Sequence, residues 1–120
     1  MPNSHRTLVE SIVRMFATGD TSPAGAVLSA TYLDHQGLGE GDVAGPDEFR
    51  RVVAVARRGY DELDVRIEDL LVDGDRVAAR LRWTGARSGR RFERETIDIL
   101  RIKDGKAVEH WGARLWISEV

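Results

Sequence analysis

Hydrophobic and polar positions change their period once along this chain of 120 residues, near Glu62, and the change separates a helical part from a strand part. Upstream, Leu8, Ile12, Met15 and Phe16 recur at helical spacing, with Val9 and Val13 beside them. Thr7 and Glu10 have the spacing of a capping box, in which hydroxyl and carboxylate satisfy free backbone N–H groups. Gly19 is placed to end the helix in the left-handed conformation. Ser22-Pro23 predicts an N-cap with Pro at the first helical position, and so a short second helix to about Ala30. The next segment, YLDHQGLGEGDVAGPDEF, is broken by glycines and shows no period, so it reads as a surface loop at a pocket rim. Pro46-Asp47-Glu48 opens a third helix with two carboxylates at its positive end. Phe49, Val52, Val53 and Ala56 form its apolar stripe, Arg57 and Arg58 complement its negative end, and Gly59 closes it.

From Glu62 the period is two. Leu63, Val65 and Ile67 alternate with Asp64, Arg66 and Glu68, and Asp73-Gly74-Asp75 is a hairpin turn. Val77, Ala79, Leu81 and Trp83 then share one face, while Arg76, Ala78, Arg80 and Arg82 share the other, opposite Glu93 or Glu95. Gly85 to Gly89 reads as a further turn. The last hairpin is centred on Asp104-Gly105, where a tight primed turn needs the positive φ that Gly supplies freely. Arg94, Thr96, Asp98, Leu100 and Ile102 fall on one face of its first strand; Val108, His110, Gly112, Arg114 and Trp116 fall on one face of its second. The expectation is a single α+β domain over residues 1–120. Three N-terminal helices pack on one face of a curved, mostly antiparallel sheet of four to six strands.

Composition narrows the function. With no cysteine, disulfides, thiol nucleophiles and thiolate metal sites are excluded. A formal net charge of -2 gives no footprint for nucleic acid or an anionic membrane. No apolar run approaches the ~20 residues of a membrane span. The N-terminus, MPNSHRTLVE, lacks a basic region followed by an apolar core, so the expected location is cytoplasmic.

Three segments resemble a known family: YLDH (Tyr32 to His35), DVRIEDLLVDGDRVAARLRWTG, and IDILRIKDGKAVEHW. They are similar to the SnoaL-like polyketide cyclases of the nuclear-transport-factor-2-like (NTF2-like) superfamily, and the likeness spans about Thr7 to Trp116. The resemblance implies a curved sheet closed by three helices into a conical pocket. It also implies homodimers through the outer sheet face and binding of an apolar cyclic small molecule. The expected chemistry is ring closure, isomerisation or hydrolysis by acid/base steps, with no metal or organic cofactor. In many members an aspartate follows the EHW triplet and acts as the acid/base; here that position is Gly112, and a second frequent carboxylate position is Leu115.

Asp98 is then the remaining carboxylate candidate. Alternation leaves its direction open, because Ile97 and Ile99 on the other face are also apolar, so Asp98 either faces the pocket or pairs outside with Arg101 or Arg114. The family pattern points inward, where burial favours the protonated form and suits a general acid or base. His110 and His35 are the candidate proton carriers, since imidazole titrates near neutrality. Asp34, His35, Asp98 and His110 lack the spacing of a metal site, and no metal is expected. Phe16, Tyr32, Phe49, Trp83, Arg114 and Trp116 are the candidate substrate-binding residues, with Tyr32 and Trp83 expected at the cavity mouth. Two functions compete: a cofactor-independent enzyme acting on a ring-bearing substrate, and a non-catalytic binding or dimerisation module, which Gly112 favours.

Overall fold

The computed structural model describes residues 2–35 and 41–119. Helix α1 (Pro2–Thr18) and the single turn α2 (Ala24–Val27) lead into strands β1 (Leu28–Asp34) and β2 (Val43–Ala44). Helix α3 (Gly45–Arg57) follows, then the long strands β3 (Glu62–Asp73), β4 (Arg76–Arg87), β5 (Arg90–Lys103) and β6 (Lys106–Glu119). One six-stranded sheet has the order β2-β1-β6-β5-β4-β3. All its neighbours are antiparallel except β1 and β6, which are parallel.

The α+β class and mostly antiparallel sheet agree with the period-two reading. The helical part differs from it: three helices form, but only two are long. Helix α1 begins at Pro2, so Thr7 and Glu10 lie inside it and form no capping box at its start. Its end is as expected. Gly19 has φ +80 and donates its N–H to the Met15 carbonyl at 2.8 Å. Arg57, in the last turn of α3, adds two hydrogen bonds to the Phe16 and Ala17 carbonyls, both 2.7 Å, so it complements the negative end of α1 as well.

Helix α2 stops at Val27, because the chain turns extended at Leu28 and enters β1. The segment expected to be a loop therefore supplies Tyr32 to Asp34 of β1 and all of β2; its residues 36–40 lie outside the described residues. The third turn is Ser88-Gly89, with φ 52 and 77. Gly85 belongs to β4, where a Cβ would stand 2.1 Å from the Glu62 carbonyl oxygen. Close approach of neighbouring backbone, not turning, requires glycine there. At Asp104-Gly105 both φ values are positive, 52 and 77, as a type I′ hairpin demands.

Bulges bend the sheet. Register shifts occur between Ile67 and Asp69, between Glu95 and Thr96, and between Arg101 and Ile102. The last two leave Leu115 and Val108 of β6 unpaired. The inward set of β6 is thus Ala107, His110, Gly112 and Arg114, and Trp116 pairs with outward Glu95. The inner face meets α1 and α3 in a core of Leu8, Val9, Val13, Met15, Phe49, Val53, Val77, Leu81, Leu100 and Ile102. Each such side chain contributes about 1.5–3 kcal/mol on burial. On the outer face Arg80 and Arg82 pair with Glu95 at 3.0 and 3.2 Å, and Arg80 also with Asp69 at 2.7 Å. That is the arrangement expected from alternation.

Candidate functional site

Between the helices and the inner sheet face lies a cavity of about 510 Å³. One wall is apolar, from Val9, Ile12 and Val13 of α1 and Phe49 and Val52 of α3. Aromatic edges meet faces along it: Phe16 stands 5.5 Å from Phe49 and 5.4 Å from Trp83, and Tyr32 stands 6.0 Å from Phe49, all near perpendicular. The opposite wall is polar, and it is built by three strands placed side by side in the sheet.

His110 on β6 is the centre of that wall. Its Nδ1 is 2.8 Å from Asp34 Oδ1 on β1, and its Nε2 is 2.8 Å from Asp98 Oδ1 on β5. The parallel register sets Asp34 beside His110, and the antiparallel register sets Asp98 opposite Gly112, one rung away. Hydrogen bonds continue outward from both carboxylates. Tyr32 donates its hydroxyl to Asp34 Oδ2 at 3.3 Å. Trp83 donates Nε1–H to Thr96 Oγ1 at 3.0 Å, and the Thr96 hydroxyl in turn donates to Asp98 Oδ2 at 2.7 Å. An indole nitrogen only donates, so the direction of this second arm is fixed by chemistry.

Burial alone would push the His110 imidazole below its ordinary value of 6.5, but hydrogen bonds and charge from Asp34 and Asp98 reverse this and lift it to about 9. At neutral pH both ring nitrogens therefore carry protons, and each donates to a carboxylate. Burial first, then the Asp34 charge, push the Tyr32 phenol far above its ordinary value, so it stays a donor. Both carboxylates line the cavity but differ in access: the Asp34 side chain is 5% exposed and that of Asp98 15%, which makes Asp98 the more accessible of the two.

Of the residues singled out from sequence, Asp98, His110, Phe16, Tyr32, Phe49, Trp83 and Arg114 all line the cavity. Tyr32 and Trp83, expected at the mouth, are both buried. Two others lie elsewhere. His35 follows β1 on the side of Glu109 and Asp42, bonded to both and stacked on Trp111 at 5.3 Å. Trp116 is on the outer face, its ring 5.9 Å from the Arg82 guanidinium, because the bulge at Leu115 reverses the alternation. The sequence reading missed Asp34 as a partner of His110 and Arg94 as a wall residue. The signal for Asp34 was present: in an extended Tyr32-Leu33-Asp34, residues 32 and 34 share a face. Among the described residues no cluster of His, Asp and Glu is arranged to hold a metal ion. Both His110 nitrogens are already engaged by carboxylates. No helix among the described residues is long and apolar enough to cross a membrane.

Comparison with known proteins agrees with this architecture. The chain is similar to nogalonic acid methyl ester cyclase from Streptomyces nogalater, at 30% identity over 110 residues, covering 82% of this chain and 81% of the relative. It is also similar to the solved structure of a putative polyketide cyclase from Bacillus cereus, with TM-score 0.81 and 30% identity, over 90% of this chain and 72% of that one. TsrD from Streptomyces laurentii superposes with TM-score 0.83 at 26% identity, over 94% and 89% of the two chains. A model of the family described as SnoaL-like polyketide cyclase matches residues 6–114, nearly the whole domain, and the chain belongs to that family, with its NTF2-like fold.

Proposed function

We propose that the protein is a cofactor-independent acid/base enzyme that closes or rearranges a ring in an apolar, polyketide-like substrate. The observation that carries this reading is the clamping of His110 between Asp34 and Asp98 in the wall of an otherwise largely apolar cavity. Asp98 is the base. It takes a proton from a carbon next to a substrate carbonyl, the resulting carbanion attacks a second carbonyl carbon to form the ring bond, and the new alkoxide recovers the proton from Asp98. No oxidant, reductant or outside proton is needed. His110, charged at neutral pH, holds Asp98 by its Nε2–H, while Asp34 and Tyr32 fix the imidazole from its other side. Thr96 and Trp83 orient the second Asp98 oxygen. The aromatic wall supplies flat surface against which rings pack.

Gly112 favours a second reading, a pocket that binds without turnover. The two part in one assay, with nogalonic acid methyl ester, the compound named for the relative, offered to purified wild type and Asp98→Asn. Ring closure by wild type and a ~10²–10⁴-fold loss in the variant support the enzyme reading. Equal rates at background, with binding retained, establish the second.

The outer sheet face supports a homodimer. Leu71 is 70% exposed there, and Ile97, Ile99 and Trp116 are each more than a third exposed, beside the charged Arg80–Glu95–Arg82 group. Light scattering at high protein concentration is expected to give a dimer mass; a monomer mass contradicts it.

A further inference from the structure

The two faces of the sheet treat their arginines differently. On the outer face Arg80, Arg82 and Arg101 each pair with a carboxylate within 3.2 Å. Arg94 and Arg114 line the cavity instead, and neither has a hydrogen bond or ion pair to a carboxylate among the described residues. The Asp98 oxygens are hydrogen-bonded to His110 and Thr96, and the Asp98 charge reaches Arg94 only through space. Arg94 is held by aromatic faces, its guanidinium 4.4 Å from the Trp83 ring and 6.0 Å from the Phe92 ring. Its Nε is sealed from solvent without a hydrogen-bond acceptor, so only the terminal nitrogens can serve the cavity. A buried donor without a partner is costly, and a buried charge without a partner more so. Burial first, then the like charges of Arg114 and Arg87, disfavour the Arg94 cation, and Tyr60 and Asp98 offset this only in part.

We propose that Arg94 and Arg114 form an oxyanion-binding subsite, so that the ring-bearing ligand carries a carboxylate or an ionised enol or phenol oxygen at the end remote from His110. This rests on the reading that the cavity takes ring-bearing molecules, and it names their chemical class. The strand geometry suits it. Arg114 pairs with Thr96, one inward rung beyond Asp98, and Arg94 is the next inward residue of β5. Four residues of strand put the Asp98 and Arg94 Cα atoms about 13 Å apart, which leaves room for a fused ring between the reacting end and the anchored end. His110 with its two carboxylates carries a net negative charge, and the two arginines, each a cation, make their own end of the cavity positive. The planar forks of two guanidiniums match a carboxylate or a pair of conjugated oxygens.

The test is calorimetric titration with three probes of one ring size: 2-naphthoate, methyl 2-naphthoate and 2-naphthol. Wild type should bind the acid ~10-fold or more tightly than its neutral ester at pH 7. Arg94→Gln and, independently, Arg114→Gln should remove most of that preference, whereas Arg101→Gln on the outer face should keep it. The exposed Arg114 provides the second arm should loss of Arg94 disturb the Trp83 packing. Acid and ester binding equally to wild type overturns the subsite while leaving the ring-binding reading standing. If none of the probes binds, both fall. A naphtholate absorption band from bound 2-naphthol at pH 7 assigns the subsite to ionised hydroxyls; tight binding of the acid alone assigns it to carboxylates.

Discussion

His35 and His110 are neighbours across β1 and β6, joined by a 2.9 Å hydrogen bond from the His35 N–H to the His110 carbonyl. Each ring lies between two carboxylates, His35 between Glu109 and Asp42, His110 between Asp34 and Asp98. Both imidazoles hold their protons more firmly than an isolated histidine does. The list of partners does not tell them apart; their surroundings do. His35 stacks on Trp111 outside the cavity and stays partly open to solvent, which screens its ion pairs. His110 is buried, so its charge is sustained by the two carboxylates that face it, and removal of the imidazole leaves two like charges with little solvent to relieve them.

The largest expected contrast is in stability. His110→Ala strands two carboxylates in the inner wall and should lower the urea unfolding free energy at pH 7 by about 3–5 kcal/mol. His35→Ala should leave the unfolding midpoint close to that of wild type. Similar losses for the two would erase the distinction drawn between them.

Next in size is the pH dependence. His110 is raised from 6.5 to about 9 in the folded protein. Its contribution is fully present below the unfolded value of 6.5 and is lost as pH rises through about 9, because the unfolded chain releases that proton earlier. At about 1.4 kcal/mol per pH unit, wild type should lose roughly 3 kcal/mol across this window, and His110→Ala should show a nearly flat profile there. A wild-type profile as flat as the variant's would contradict the charged cluster.

Smaller changes adjust the cluster without removing it. Asp98→Asn keeps an acceptor for Nε2 but deletes its charge, so the His110 titration should move down by about one unit or more. Gly112→Asp places a carboxylate on the rung opposite Asp98 and should move it up, by less than Asp98→Asn moves it down. Imidazole NMR reads both. A shift of equal size at His35 would show that the two sites are coupled and not separated by burial.

Much of this arrangement was legible in the sequence because it is local. The β3–β6 meander follows from alternation and from turns with left-handed residues at Gly74, Ser88-Gly89 and Asp104-Gly105. The same period put Thr96, Asp98 and Leu100 on one face of β5 but left open which way that face points, and only the family resemblance chose inward. What was hidden depends on distant partners. Strand β1 carries Ser29, Ala30 and Thr31 in its middle and pairs with β6 some 75 residues later, so no nearby turn announces it. With β1 unread, Asp34 was not placed beside His110. Bulges hid the rest: one extra residue at Leu115 sent Trp116 outward, although strict alternation put it on the same face as His110. The arginines show the same limit. Arg94 shared a face with Asp98 from the start, but its lack of a hydrogen-bonded carboxylate is a property of the folded wall.

The central claim is that His110 is a buried cation shared by Asp34 and Asp98, and a ¹⁵N-detected titration of the three imidazoles tests it most directly. The account predicts that at pH 7 both His110 nitrogens are protonated, with chemical shifts moving only as pH passes about 9. A His110 ring that is singly protonated at pH 7 and titrates near 6.5 would contradict it, and with it the assignment of Asp98 as the base held by that cation.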